Sequence, residues 1–202
     1  MTVMPTETLP SGDELPSIGF GTWELAEPVE TSVRTALEAG YTHIDTAEGY
    51  KNESEIGSVI ADYDRSELFL TSKVLPKNLH YESVIRSCRA SLEALGTDYL
   101  DLYLIHWPNP AVSLRETMRA MEHLLEEGLV RNVGVPNFTA YQISCARHIT
   151  EVPIAVNQLE YHPPFQQPRP TDYFRQAGHV VEAAAPPGRP AVLAGTALTR
   201  LP

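Results

Sequence analysis

The sequence predicts an α/β chain of the (β/α)₈ TIM-barrel class, incomplete by one unit, and three observations carry that expectation. Short apolar runs alternate with longer amphipathic ones. Seven such runs follow one another, each rich in Val, Ile and Leu as buried parallel strands are. They recur about every 23 to 32 residues, the length of one βα unit.

In chain order the strand-like runs are "SIGFGTW", "THIDTA", "LFLTSKV", "DLYLIHW", "VRNVGVPNF", "IAVNQLEY" and "HVVEAAA". Between them, apolar residues spaced by three and four mark helices: Val29, Val33, Ala36 and Leu37; Val84, Ile85, Cys88, Leu92 and Leu95; Leu114, Met118, Met121, Leu124 and Leu125. Gly40, Gly96, Gly128 and Gly178 each fall where a helix stops and a strand is about to start, the place for a left-handed residue. An open doubly wound sheet is the competing fold. It usually announces a nucleotide site by a glycine-rich turn after its first strand, and "GFGTWELAEP" lacks the third glycine. The tail "APPGRPAVLAGTALTRLP" offers no eighth strand, so the barrel units run over 17–189 and 190–202 reads as irregular, within a single domain of 1–202. The expected cost is an open sheet edge.

Polar residues stand at the ends of these apolar runs, where barrel active sites gather. Asp45 closes the second run, with Tyr50 in the loop after it; Lys73 closes the third and His106 the fourth. Taken singly, each has a bland reading. Asp45 caps the turn through the Thr46 and Ala47 amides, Lys73 reaches to solvent, His106 is a satisfied core histidine, and Tyr50 packs a loop. Equivalent positions in three consecutive units favour shared chemistry instead. A nearby ammonium lowers a phenol's pKa, a carboxylate holds that ammonium, and a histidine orients a carbonyl oxygen. The set suits proton delivery to a carbonyl oxygen. Hydride has to come from a nicotinamide cofactor, because no side chain donates it. Asn137 and Gln158, at the ends of the fifth and sixth runs, either hold an amide or serve as turn and edge residues. Trp23 and Trp107 either wall an apolar mouth or pack in the core.

Composition narrows the function further. A net charge of −11, with only three lysines (Lys51, Lys73 and Lys77) among 15 basic residues, repels nucleic acid and anionic lipid and hints at a high-salt cytoplasm. Cys88 and Cys145 form neither a disulfide framework nor a zinc pattern, and are expected as buried or half-buried free thiols, with no metal bound. No apolar run approaches a membrane span, and "MTVMPTETLPSGDELP" has no export signal, so the cytoplasm is the expected location.

Over about Thr8 to Arg189 the chain resembles the aldo-keto reductases. "GYTHIDTAEGYKNESEIG" resembles that family's first signature, and "LFLTSKV", "LYLIHWP", "GVPNF" and "NQLEYHP" follow in the family's order. The compact form is most similar to the microbial branch that includes 2,5-diketogluconate reductases, and 1–16 resembles the hairpin that plugs the barrel's bottom. The resemblance implies Tyr50 as general acid, tuned by Lys73 and Asp45, with His106 orienting the carbonyl. It implies an NADP(H) site: Asn137 and Gln158 on the nicotinamide carboxamide, Asp45 near its ribose, and Gly21 and Thr22 beside them. Trp23 and Trp107, with Tyr50 and His106, would line the pocket for a small carbonyl substrate, reversibly reduced. Three departures stand out. Pro136 replaces the family's usual serine, Ala184 stands where a stacking aromatic is expected, and the eighth strand with its phosphate-gripping segment and last helices is missing. The resemblance therefore admits an active reductase, as a monomer or self-associated across its open edge. It also admits a catalytically impaired or inactive remnant, or a non-catalytic cofactor-sensing subunit.

Overall fold

Seven parallel strands hydrogen-bond in chain order, in a computed structural model that describes residues 4–25, 28–161 and 168–184, with 168–170 as backbone alone. A hairpin of β1 (Thr6–Thr8) and β2 (Glu14–Pro16) precedes them. The sheet then runs β3 (Gly19–Gly21), β4 (His43–Asp45), β5 (Phe69–Val74), β6 (Leu100–Ile105), β7 (Val130–Pro136), β8 (Ile154–Glu160) and β9 (Val180–Ala184). Six helices alternate with them: α1 (Val29–Glu38), α2 (Glu53–Ile60), α3 (Tyr81–Leu95), α4 (Leu114–Glu126), α5 (Ala140–Ile149) and α6 (Pro168–Gln176). All seven strand-like runs are strands. Among the described residues β3 and β9 are the two edges of the sheet. The tail of 190–202 lies outside the described residues.

Each helix packs the stripe its spacing announces. α3 buries Val84, Ile85, Cys88, Leu92 and Leu95, and α4 buries Met118, Met121 and Leu124. Gly40, Gly96, Gly128 and Gly178 all take positive φ, from 64° to 97°, as their place after a helix requires. α5 carries a stronger start signal than its weak apolar pattern: Thr139 and Gln142 form a reciprocal capping box.

The apolar side chains divide into two cores. The larger lies between sheet and helices, around Ile44, Ile56, Leu70, Tyr103 and Met121. The smaller fills the barrel's interior, where Phe69, Leu102, Leu104 and Val156 meet Leu9 and Leu15 from the hairpin. The hairpin thus closes the amino-terminal end of the strands, and the Asn132 amide ties it down by donating to Asp13 Oδ2 at 2.7 Å. Interior space is tight at Gly134, where an added Cβ would lie 2.4 Å from Leu104 Cδ2 and 2.6 Å from the Val156 carbonyl. Cys88 is buried and Cys145 half-buried, both as free thiols. Among the described residues no helix is long and apolar enough to cross a membrane.

Candidate active site

The loop after β4 is built to aim Tyr50. Thr22 donates both its N–H and its hydroxyl to the Asp45 carbonyl, which locks the end of β4 to the chain after β3. Asn52 accepts from the Thr46 hydroxyl at 3.0 Å and donates to the Thr22 carbonyl at 2.9 Å, so the loop returns to where it began. Between these anchors Glu48–Tyr50 make one 3₁₀ turn, closed by Lys51 at φ 59°, a left-handed stop. The Glu48 carboxylate accepts from the Leu75 N–H and from Asn78 Nδ2, which fastens the turn to the loop after β5. In "HIDTAEGYKNE", Thr46, Glu48 and Asn52 hold the framework, so that Asp45 and Tyr50 are spared for Lys73.

Lys73 is 2 % exposed and does not reach solvent. Its ammonium donates to Asp45 Oδ1, to the Thr46 carbonyl at 3.1 Å and to the Tyr50 phenolic oxygen at 3.4 Å. A phenolic oxygen that accepts from an ammonium keeps its own O–H for another partner. Burial pulls the Lys73 ammonium down, but Asp45, Tyr50 and Glu182 together overcome this and hold it above its usual range. For Tyr50 the expected direction is wrong. Burial raises the phenol, and Asp45 adds to the rise, so Lys73 offsets only part of it and the net shift is upward. Spacing along the chain reveals the ammonium but not the cost of burying a phenolate beside a carboxylate.

His106 packs its ring edge-on to Tyr50, with centroids 5.4 Å apart at 79°. Burial and the Lys73 charge both lower its pKa, which keeps the imidazole neutral at pH 7. Its Nδ1 is buried against the Gly49 backbone and has no hydrogen-bond partner among the described residues, so it is not a satisfied core histidine. An orphaned buried N–H is rarer than an orphaned acceptor. The proton therefore belongs on Nε2.

Gln158 and Asn137 have one end fixed and one end left for a ligand. Gln158 Nε2 donates to Asp45 Oδ2 at 2.8 Å and to Glu182 Oε2 at 3.1 Å, leaving Oε1 as acceptor. Asn137, at φ 48°, accepts the Glu160 N–H on Oδ1 at 2.8 Å, leaving Nδ2 as donor. Asp45 thus pairs with Lys73 on the neighbouring strand and with Gln158 across the barrel rather than capping its own turn. Gly21 is exposed, whereas Thr22 is fully buried and its hydroxyl is engaged by Asp45. Trp23 and Trp107 are 52 % and 50 % exposed, which removes the core-packing alternative for both. Pro136 ends β7 without an N–H to offer, and Ala184 ends β9 without a ring.

Glu182 belongs to this constellation and was not anticipated. It sits in β9 opposite Gln158 in register, and its carboxyl is pushed up to about 7 by burial and by Asp45. Its signal in the sequence is a lone carboxylate within the apolar run "HVVEAAA". His43, Asp45 and Glu182 bring ligand-type atoms within 4.8 Å of one another. The cation already serving Asp45 is the Lys73 ammonium, and His43 Nε2 is engaged by the Thr71 hydroxyl at 2.9 Å.

The comparisons with known proteins agree with this geometry. The Aldo/keto reductase family model matches residues 17–192. An aldo-keto reductase of Mycolicibacterium smegmatis is 39% identical over 199 residues, 96% of this chain and 72% of that protein. Glyoxal reductase of Bacillus subtilis is 38% identical over 200 residues, 97% of this chain and 72% of the relative. Among solved structures, a Bombyx mori aldo-keto reductase in complex with NADP superposes with a TM-score of 0.87 at 32% identity, covering 92% of this chain and 67% of that one. An aldo-keto reductase from a Medee basin deep-sea metagenome library reaches 0.91 at 36% identity, over 96% and 74%. Fold, strand order and sequence together make this chain a member of the aldo/keto reductase family.

Proposed function

We propose that the chain is an NADPH-dependent reductase of small aldehydes and ketones, with Tyr50 as the general acid. The observation that carries this reading is Lys73, which donates to the phenolic oxygen of Tyr50 while paired with Asp45 on its other side. A substrate carbonyl at the mouth accepts from the Tyr50 hydroxyl and the Nε2–H of neutral His106. As the oxygen gains charge, Tyr50 gives up its proton, and the Lys73 ammonium stabilises the phenolate that remains. Trp23 and Trp107 supply apolar walls suited to many small carbonyls.

The residues fit a nicotinamide. Gln158 Oε1 is free to accept from a carboxamide NH₂, and Asn137 Nδ2 is free to donate to its carbonyl. The cofactor would supply hydride to the carbonyl carbon. Pro136 adds no donor to that grip and Ala184 no stacking face, so the hold on the ring rests on fewer contacts. Those two positions favour a second reading, a catalytically impaired reductase that binds cofactor weakly. Titration of the chain with NADPH, followed by fluorescence, separates the two. Micromolar binding with carbonyl-dependent NADPH oxidation, lowered by about 10²- to 10⁴-fold in Tyr50→Phe, supports the first reading; a folded chain that does not bind overturns it.

A further inference from the structure

We propose that Glu182 is a positioning residue that fixes which end of the Gln158 amide faces the cofactor. This rests on the reading above, in which Gln158 accepts from the nicotinamide carboxamide. Gln158 and Glu182 are register partners on adjacent parallel strands, β8 and β9, and the Gln158 amide nitrogen bonds the Glu182 carboxylate at 3.1 Å. The same nitrogen bonds Asp45 Oδ2 at 2.8 Å, from the opposite side of the barrel. An amide nitrogen carries two hydrogens, and here each has its own carboxylate. Turning the amide over would bring its oxygen against both carboxylates and lose both bonds. With Asp45 alone the second hydrogen would be free, and Asp45 is already shared with Lys73.

The placement is expensive, which argues that it serves something. One ammonium faces two carboxylates, and burial with Asp45 pushes the Glu182 carboxyl up to about 7. Both of its protonation states retain an oxygen able to accept from Gln158, so the amide stays oriented across neutral pH. An apolar residue in β9 would remove the repulsion and would also remove the second lock.

The test uses a pair of cofactors that differ at one group. NADP⁺ carries the carboxamide NH₂, whereas its 3-acetylpyridine analogue has a methyl group there and cannot donate to Gln158 Oε1. Dissociation constants for both are read from quenching of Trp23 and Trp107 fluorescence in the full chain, in Glu182→Leu and in Glu182→Gln, with folding checked by circular dichroism. The wild type is expected to prefer NADP⁺ by roughly tenfold, the worth of one such hydrogen bond. Glu182→Leu, in which Asp45 still holds one amide hydrogen, is expected to lose part of that preference by weakening NADP⁺ alone, and Glu182→Gln, which keeps an acceptor oxygen, to retain most of it. A merely structural role would weaken both cofactors alike. Equal weakening, or an unchanged preference in Glu182→Leu, overturns the inference and leaves the reductase reading intact. A wild type that binds neither cofactor overturns both.

Discussion

Two charge clusters sit at opposite ends of the same strands and are built on opposite terms. At the amino ends, one carboxylate meets two guanidiniums: Asp101 accepts from Arg65 at 2.7 Å, Arg131 at 3.4 Å and the Leu70 N–H at 2.9 Å. Both guanidiniums stack on Tyr99 at 3.9 Å. Burial still holds the Asp101 carboxyl above its usual range, but every strong partner it needs is already in place. At the carboxyl ends, one ammonium faces two carboxylates, and the Tyr50 hydroxyl and the His106 imidazole beside it retain hydrogen-bonding groups with no partner among the described residues. The lower cluster is complete without a ligand and the upper one is not. That difference fits the barrel fold, in which stability is generally built at the amino ends of the strands and active sites at the carboxyl ends.

Lys73→Met should give the largest effect, because it removes the only ammonium from the upper cluster. Activity is expected to fall by at least about 10²-fold as the Tyr50 phenolate loses its counter-charge. Stability at pH 8 should drop by about 3 kcal/mol as Asp45 and Glu182 are left facing each other. Steady-state kinetics and urea titrations at pH 6 and 8 check both, and recovery of stability at pH 6 is the sign of carboxylate repulsion.

Asp101→Asn is the matching cut at the other end. It should lower stability by about 2 kcal/mol, since Arg65 loses its anionic partner and the Leu70 N–H its strong acceptor. The kcat of the folded fraction should not change. A loss of kcat without loss of stability would break the division between the two ends.

The smallest effect concerns pH. Glu182 holds its proton up to about 7 in the folded chain against an ordinary 4.5. Its contribution is therefore present below pH 4.5 and lost as pH rises through about 7. His43 is pulled by burial from 6.5 down to about 4. Its contribution is present above pH 6.5 and lost as pH falls toward about 4. Between pH 4.5 and 6.5 the two contributions oppose and offset each other. Glu182→Gln removes the Glu182 slope, so across that window stability should climb with pH more steeply than in the wild type, by no more than about 1.4 kcal/mol per unit. A variant whose slope matches that of the wild type would show that the Glu182 proton does not contribute to it.

Much of this was legible before folding. Asp45, Lys73 and His106 stand out because a charge or imidazole at the end of a buried apolar run is costly without a use. Glu182 obeys the same rule in "HVVEAAA", but its role is not legible there, since its partners come from distant parts of the chain. Gln158 is one strand away, but Asp45 lies across the barrel, 113 residues from the amide that joins them. No local pattern records that β4 and β8 face each other. The Tyr50 shift was misjudged for a related reason: the ammonium can be inferred from spacing, whereas the burial that outweighs it cannot.

By itself the sequence determined the seven parallel strands, the helices between them and their order, because strand and helix periods and glycine stops are local properties of the chain. Only the tertiary structure decided that one amide nitrogen bridges Asp45 and Glu182, that Thr22 is sealed beneath the site, and that the Tyr50 phenol is raised rather than lowered. Those outcomes depend on how tightly the sheet curls and how much water it excludes, and both are set by the packing of all strands together.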